Sequence, residues 1–251
     1  MIKTILMWAS ILMCLLFATS SAFALGLEAA VGAWNQDPGG DMAYQGTSLD
    51  LRHDLQYDRE MRLMGRMKIE TPMFLPNIYL MATPMWFDGT GRKSVSFIFG
   101  GQTYAGNVDF TSKVRLDQYD LGFYYNLPFL RTATRGILSV ELGLNIRGVD
   151  AKAEVTQGSI SQKESTFLPV PMGYIGFEVL TLKAFSIGAE LRTIAFSSNH
   201  AYDVLGRIKW RFLGPLFISG GYRYEDIRID HEDLKAKAKV KGPFVETGMV
   251  F

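Results

Sequence analysis

The sequence predicts an all-β fold in which about ten antiparallel strands close into a single barrel. Many segments alternate strictly between apolar residues and polar or small ones, as expected for strands with two different faces. Aromatic residues make up 13% of the chain, and there are 25 glycines. No pattern for a long amphipathic helix is present to cover a one-layer sheet. An uncovered apolar face must meet lipid, so the predicted class is an antiparallel transmembrane β-barrel, with eight or twelve strands as alternatives.

Residues 1–24 predict a cleaved secretory signal peptide. Lys3 precedes an apolar run, and small residues then lead to Ala22-Phe23-Ala24, an A-x-A cleavage pattern. The run is about 13 residues long, whereas a transmembrane helix needs roughly 20. Cleavage would remove Cys14, the only cysteine, and so exclude a disulfide framework or a thiolate metal site. We expect export and a mature barrel over 25–251 in the Gram-negative outer membrane; an uncleaved anchor is the alternative.

The mature chain is predicted to be close to neutral. The full sequence carries 26 basic and 25 acidic residues, and cleavage removes Lys3. Without a basic excess we expect no nucleic-acid partner. The Gly100-Gly101 pair lacks the following helix that a phosphate-binding loop requires. We therefore expect no cofactor and no metal centre. One alternative is that the acidic segment 226–233 binds divalent cations that bridge lipopolysaccharide phosphates.

Eight segments before the final hairpin alternate well enough to be predicted as strands. The fifth is the cleanest, because Leu142 and Leu144 alternate with Glu141 and Gly143. In the third segment, residues of both parities are apolar, so the sequence does not show which face of this strand points outward. In the fourth, the parity breaks near Asp117, which a bulge or an exit from the membrane would explain. The eight segments are 26–35, 62–70, 78–87, 113–126, 136–148, 167–179, 185–196 and 201–212.

The final hairpin, 216–225 with 245–251, completes ten predicted strands. The connections around 71–77, 127–135, 180–184 and 213–214 are short, whereas 36–60, 88–112 and 149–166 are long. Outer-membrane barrels alternate short periplasmic turns with longer outer loops, so both termini are expected in the periplasm. Segment 37–41 predicts a turn, and 48–57 fits either a short strand or a helical turn on the outer rim. Aromatic residues near strand ends predict interfacial girdles: Tyr124, Tyr125, Phe129, Trp210, Phe212 and Phe251.

Charged residues concentrate on the faces predicted to point inward. A ten-strand barrel is narrow enough for side chains to nearly fill it, and buried charges must pair or face water. The structural interpretation is a salt-bridged filling, and the functional one is a narrow passive channel for small polar solutes or ions. Glu28, Arg66, Lys68, Asp120 and Glu246 share these inward faces. The predicted lumen-facing network is Glu141, Arg147, Glu190, Arg192, Arg207, Lys209, Arg223 and Glu225.

An enzyme is not expected, and no catalytic residue is assigned. Ser197-Ser198-Asn199-His200 resembles the histidine–serine–asparagine set of outer-membrane lipid A deacylases, but in reversed order and without a clear triad. His231, beside three acids, fits the rim of an omptin-like protease. A barrel hydrolase of either kind is one alternative function. A surface adhesion barrel acting through its long outer loops is another.

Five features resemble a family of uncharacterised proteobacterial outer-membrane β-barrel proteins. They are the segments 26–40 (GLEAAVGAWNQDPGG), 50–58 (DLRHDLQYD), 72–80 (PMFLPNIYL) and 120–128 (DLGFYYNLP), and the terminal phenylalanine. The resemblance implies a barrel in contact with the lipid bilayer and lipopolysaccharide, without a transferable activity. The last strand resembles the signal read by the barrel-assembly machinery, which is therefore an expected partner. Its assembly-signal residues are Val245, Met249 and Phe251.

Overall fold

The computed structural model describes residues 26–72, 74–182, 184–196, 199–231 and 234–251. Its antiparallel strands form a closed barrel with ten strand positions around the circumference, which we call staves; a stave is either one strand or two consecutive strands in line. The predicted ten-strand barrel is confirmed. The predicted signal peptide lies outside the described residues. The strands are β1 (Gly26–Tyr44), β2 (Leu49–Asp50), β3 (Glu60–Glu70), β4 (Asn77–Thr83), β5 (Trp86–Arg92), β6 (Phe97–Phe99), β7 (Gln102–Tyr104), β8 (Asp109–Asn126), β9 (Leu138–Gln157), β10 (Ile160–Leu182), β11 (Phe185–Phe196), β12 (Asn199–Leu213), β13 (Leu216–His231) and β14 (Leu234–Val250).

The ring closes where β14 pairs with β1. Ala29 lies opposite Met249, and Leu27 and Phe251 exchange backbone hydrogen bonds of 3.2 and 2.8 Å. β4 and β5 together make one stave, because both pair with β8 in the same register. Pro84 interrupts that stave, since proline has no N–H to donate to a ladder. Closure leaves the ten staves without an unpaired edge along most of their length.

The outward faces of the staves form an apolar belt. Leu63 and Leu144 are 76% and 69% exposed, whereas Trp34, on the inward face of β1, is completely buried. A water-exposed surface of this kind would be strongly unfavourable, so the belt is the lipid-facing surface of a membrane barrel. Other exposed members of the belt are Val31, Leu121, Phe123, Ile146, Ile175, Phe177, Ile187, Val204, Ile208, Trp210, Ile218, Tyr222 and Val245.

The two ends of the barrel differ in their connections. The terminal end carries Gly26, Phe251 and the short connections, one of which contains the six-residue helix α1 (Pro128–Ala133). Among the described residues, no helix is long and apolar enough to cross a membrane. The opposite, distal end carries the longer segments 45–59 and 93–108, together with three long hairpins formed by β9–β10, β11–β12 and β13–β14.

Several predicted distal loops are strands instead. The predicted loop 149–166 is the continuation of β9 and β10, which turn at Gly158 and Ser159. The predicted turn 37–41 lies inside β1 and pairs with β14. The predicted acidic loop 226–233 is largely the end of β13, and Asn199-His200 begins β12 rather than forming a turn. Beyond the lipid both faces of a strand can be polar, so the alternation that identifies a membrane strand disappears.

The predicted parity break in β8 has a different cause from a bulge. Its register with β9 is continuous from Thr111 to Asn126, and even-numbered residues point inward throughout. Val114 and Leu116 are apolar and face inward, whereas Tyr119 and Leu121 are apolar and face outward. The apolar face therefore changes sides where the strand leaves the lipid, which agrees with the predicted exit from the membrane. Tyr124 also points inward and is buried, so its assignment to the outer girdle was wrong.

A glycine on β5 tests how closely a distal segment packs against the wall. A Cβ added at Gly91 would lie 2.0 Å from the Asp54 carbonyl oxygen, so Gly91→Ala must displace segment 54–56. We expect Gly91→Ala to lower the free energy of unfolding by about 1–3 kcal/mol, as overpacking does. The measurement is the urea midpoint of the folded barrel in detergent. Gly206→Ala is the matched control, because nothing lies within 4 Å of its added Cβ, and its midpoint should be nearly unchanged. Equal midpoints for the two variants would contradict the packing.

Candidate functional site

The centre of the lumen is occupied by ion pairs that cross it. Arg147 of β9 forms a two-point contact with Asp120 of β8, at 2.9 and 3.1 Å. It also reaches Asp203 of β12 and, at 3.4 Å, Glu225 of β13. Arg and carboxylate groups match in planar geometry, so such contacts are strong and directional. A single guanidinium therefore ties together staves that are not neighbours in the ring.

Arg223 of β13 completes this first ionic cluster. Its guanidinium donates to both oxygens of Asp203, at 2.9 and 2.8 Å, and to Glu225 at 2.5 Å. It donates further to the Thr83 hydroxyl at 2.8 Å and lies 4.7 Å from the ring centroid of Trp34. Asp203 lies on the neighbouring β12 and Glu225 on β13 itself, whereas Thr83 of β4 and Trp34 of β1 belong to more distant strands, so Arg223 reaches into the lumen.

Arg192 links the first ionic cluster to a group of tyrosines. It donates to Glu190 at 2.8 Å and lies 4.7 Å over the ring of Tyr79. The Tyr79 hydroxyl donates to the same Glu190 at 3.1 Å. Tyr174 stacks on Tyr79 with centroids 5.8 Å apart, and Tyr124 packs against Tyr174 at 5.7 Å. These rings fill the space between two sets of charges.

A second ionic cluster lies toward the terminal end. Arg66 pairs with Glu246 at 2.8 Å and with Glu28 at 2.6 Å. Glu28 also accepts from Lys209 at 2.9 Å. The remaining pairs, in the same arrangement of shared carboxylates, are Lys68 with Glu141 and Glu190, Arg207 with Glu190 and Glu246, and Lys209 with Glu178.

The two ionic clusters nearly neutralise themselves. Seven cations face eight carboxylates. The cations are Arg66, Lys68, Arg147, Arg192, Arg207, Lys209 and Arg223, and the carboxylates are Glu28, Asp120, Glu141, Glu178, Glu190, Asp203, Glu225 and Glu246. The structure thus places all eight residues of the predicted network in the lumen. Sequence reasoning missed Glu178, Tyr79 and Tyr174, because the facing of the third and sixth predicted strands was not assigned, and it placed Tyr124 of the fourth strand in the outer girdle.

An apolar plug fills the distal half of the lumen. Segment 48–57 lies inside the wall against β5, not on the outer rim as predicted, and a Cβ at Gly89 would meet the Leu55 carbonyl oxygen at 2.2 Å. Tyr57 stacks on Phe87 with centroids 6.2 Å apart. The buried members of the plug are Leu49, Leu51, Leu55, Tyr57, Met85, Phe87, Phe97, Phe99, Tyr104, Phe110 and Val155.

A short hairpin, β6 with β7, lies across the distal mouth and forms a lid. On one side, Gly100 donates its backbone N–H to the Tyr44 carbonyl at 2.9 Å. On the other side, the Tyr104 hydroxyl donates to the Val155 carbonyl at 3.1 Å, and the Gln157 amide bonds the backbone of Ala105. Because β1 and β9 are four staves apart in a ring of ten, these contacts span the opening.

The environment of the plug is dry. Burial raises the pKa of Tyr57 to about 12, because the charged phenolate would be poorly solvated there. Burial likewise raises the pKa of Tyr104. Both rings are almost completely buried, which is consistent with an apolar seal.

A cavity of about 230 Å³ opens at the terminal end, below the second ionic cluster. Gly26 and Phe251 lie at its mouth, and Lys68, Glu190 and Arg207 line its inner wall. The tyrosines and the first ionic cluster close it on the inner side. This cavity is therefore a vestibule at the terminal end, lined by residues of the second ionic cluster.

The other predicted site residues lie on the outside or fall outside the described side chains. His200 contacts Asp226 at 3.6 Å on the outer wall. Ser197 and Ser198 lie outside the described residues, and the side chain of His231 is not described. Val245 and Met249 lie on the outward face of β14, ahead of the exposed Phe251. Among the described residues, no group of three potential metal ligands comes together.

The fold and the apolar belt define the class of the protein as a transmembrane β-barrel. No family model matches the chain, and no curated protein matches it. The translocator domain of the autotransporter NalP from Neisseria meningitidis is similar at 11% identity, with a TM-score of 0.43, over 99% of this chain and 98% of that one. Ail of Yersinia pestis, an attachment invasion locus protein, is similar at 11% identity, with a TM-score of 0.34, over 90% and 98%. The monoaromatic hydrocarbon channel CymD is similar at 10% identity, with a TM-score of 0.33, over 92% and 70%.

The first ionic cluster predicts a specific pattern of stability. Arg147→Met leaves Asp120 and its neighbours short of a cation, and removing one partner of a buried pair costs about 3–5 kcal/mol. Adding Asp120→Asn removes one of the excess charges and should recover part of that loss. Unfolding of the detergent-solubilised barrel in urea, followed by tryptophan fluorescence, measures the free energy of unfolding of the single and the double variant.

Lys152→Met serves as the control, because both side chains of its ion pair with Asp150 are well exposed on the outer wall. An exposed pair contributes about 0–1 kcal/mol, so this variant should change little. A double variant no more stable than Arg147→Met alone would refute the assigned pairing.

Proposed function

We propose that this chain is a sealed integral barrel of the Gram-negative outer membrane, a structural and surface-binding protein rather than a passive channel. The observation that carries the proposal is the continuous filling of the lumen. From the terminal end outward, the second ionic cluster, the tyrosines, the first ionic cluster, the apolar plug and the lid follow one another without a gap. In this orientation the terminal end faces the periplasm, and the distal end faces the exterior.

The composition of the ionic clusters supports a structural role. A selective pore concentrates one sign of charge around open water. Here each carboxylate lies within reach of one or more cations, and the numbers of the two signs are nearly equal. Separating such charges would leave several of them unpaired in a low-dielectric interior, at a cost of several kcal/mol each. The resting state is therefore the closed one.

The distal outer wall supports a surface-binding role. The long hairpins carry strands beyond the apolar belt, and their outward faces are charged rather than apolar. These strands remain paired to their ends, so they present a fixed surface instead of mobile loops. Rigid presentation lowers the ordering cost of binding. A sealed barrel that exposes such a surface can act on its surroundings only through this outer wall and through the vestibule.

Planar-bilayer recording tests the seal. We expect the folded full-length chain to give no single-channel steps at moderate voltage. A variant that replaces both 48–57 and 94–107 by short Gly-Ser linkers and carries Arg66→Ala, Tyr79→Ala, Arg147→Ala and Arg223→Ala should conduct, because part of every filling layer is then removed. Heat-modifiable migration on gels checks that both proteins are folded. Reproducible, voltage-independent steps from the unaltered chain would overturn the proposal of a sealed barrel.

A further inference from the structure

The distal wall has a gap beside β10, because the next hairpin along the chain is shorter. β10 begins at Ile160, but its pairing with β11 begins only at Gly173. Since β11 ends at Phe196, residues 160–169 of β10 have no strand beside them on that side among the described residues. On its other side, β10 pairs with β9 from its first residue onward. We call residues 161–167 of β10 the open edge.

The backbone of the open edge points its hydrogen-bonding groups into this gap. Leu180 of β10 donates its N–H to Ile137, on the β9 side, and the residues of an antiparallel strand alternate in the direction of these groups. The register between β10 and β9 has no shift, so even-numbered residues of β10 bond β9 and odd-numbered residues face the gap. Among the described residues, no partner is seen for the N–H and C=O groups that face the gap. They belong to four residues with exposed side chains, Ser161, Lys163, Ser165 and Phe167.

Two prolines mark the end of the open edge that is nearer the membrane. Pro169 and Pro171 are odd-numbered, so the N–H group that each of them lacks would point at the gap and not at β9. Pro169 is in line with Gly148 and Tyr119, at the margin of the apolar belt. Proline is one of the means by which proteins protect a sheet edge from pairing. Here it protects only the part near the lipid and leaves 161–167 able to pair.

The outer face of the open edge continues a regular pattern of side chains across the distal wall. Charges of alternating sign are in register on adjacent strands: Asp88 of β5, Lys113 of β8, Glu154 of β9 and Lys163 of β10. The next row, further from the membrane, consists of hydroxyl side chains: Thr90, Thr111, Thr156 and Ser161. Opposite charges and paired hydroxyls on adjacent strands stabilise a sheet. The charged row ends on a cation, so an added strand would continue it with an acidic residue opposite Lys163.

A second copy of this chain in the same membrane does not fit the gap. The strands of outer-membrane barrels tilt by about 35–45° from the membrane normal. Two copies related by a two-fold axis along that normal would bring their β10 strands together at roughly 70–90°, too steep for a ladder. Two open edges from facing membranes would also match poorly, because 161–167 has no acidic residue on its outer face to place opposite Lys163.

We infer that the open edge binds an extended, acidic segment of a protein outside the membrane, which adds to the distal wall as a further strand. Main-chain hydrogen bonds to the odd-numbered residues hold the segment, as in other cases of strand addition to a sheet edge. A carboxylate of the segment lies opposite Lys163, hydroxyl side chains lie opposite Ser161 and Ser165, and an apolar side chain lies opposite Phe167. This inference rests on the proposed surface-binding function and deepens it by assigning the binding residues and the kind of partner.

Amide hydrogen exchange of the folded full-length chain in detergent, followed residue by residue by NMR, tests the open edge itself. The amides that face the gap, those of Lys163, Ser165 and Phe167, should exchange at least about tenfold faster than the amides that bond β9. The amides that bond β9 are those of Glu164, Thr166 and Leu168.

The probe for the partner is a capped synthetic peptide, Leu-Gln-Thr-Gln-Glu-Gln-Thr, whose alternate residues match the outer face of the open edge in antiparallel register. Bound probe should slow exchange at the amides that face the gap and leave the others unchanged. A peptide with lysine in place of the glutamate should bind about tenfold more weakly, because like charges are then opposite each other. A peptide N-methylated at the glutamate and the central threonine should also bind about tenfold more weakly, because it cannot donate to the edge.

Ser165→Pro removes a donor of the open edge but no hydrogen bond to β9, so this variant should bind the probe about tenfold more weakly. Ser165→Ala is the matched control, because it keeps the N–H group and should bind like the unaltered chain. Equal affinities of the two variants, equal affinities of the three peptides, or no protection by the probe would each overturn the inference. Self-association of the barrel that is lost in Ser165→Pro would also overturn it, because the partner would then be a second copy. The comparison of peptides needs no variant, so it stands even if Ser165→Pro fails to fold.

The two sets of amides separate this inference from the proposed function. Fast exchange in both sets would show that the distal wall is no fixed surface, and would remove the proposed surface-binding function. Slow exchange at Glu164, Thr166 and Leu168, in a folded barrel that does not respond to the probe, would remove the inference alone.

Discussion

The structure depends on one constraint: a charge enclosed by ten strands must find an opposite charge inside the same ring. Asp203 shows how this is met, because it is shared by Arg147, Arg192 and Arg223 from three different strands. Backbone ladders hold the wall around its circumference, whereas these contacts hold it across its diameter. The same contacts that make the cylinder rigid also occupy its interior, so stability and closure have a common origin.

The wall reverses its polarity along its length. In the membrane half, apolar side chains point outward to lipid, and charges point inward. In the distal half, the outward face meets water and becomes charged, while the inward face packs on the apolar plug. β8 contains both arrangements in one unbroken strand, with Leu116 inside and Leu121 outside. The change of solvent at the membrane surface, rather than an irregularity in the backbone, explains the change of pattern.

A filled lumen moves the question of function to the outer surfaces. The interior charges are almost balanced among themselves, whereas the distal outer wall presents its charged side chains to the surroundings on strands that stay paired. The barrel is then a rigid support that holds a charged surface at a defined height above the lipid.

The amino-acid sequence by itself determined the ten strands, the facing of most of them and the charged interior. Period-two alternation is a local property, and a membrane strand must show it wherever one face meets lipid. Only the tertiary structure decided that segment 48–57 folds inward, that β6 and β7 close the mouth and that the distal loops are strands. It also decided which charges meet, since Arg147 and Asp203 are 56 residues apart. Contacts across a lumen depend on the register of every intervening strand pair. No local sequence pattern encodes the combination of all these registers.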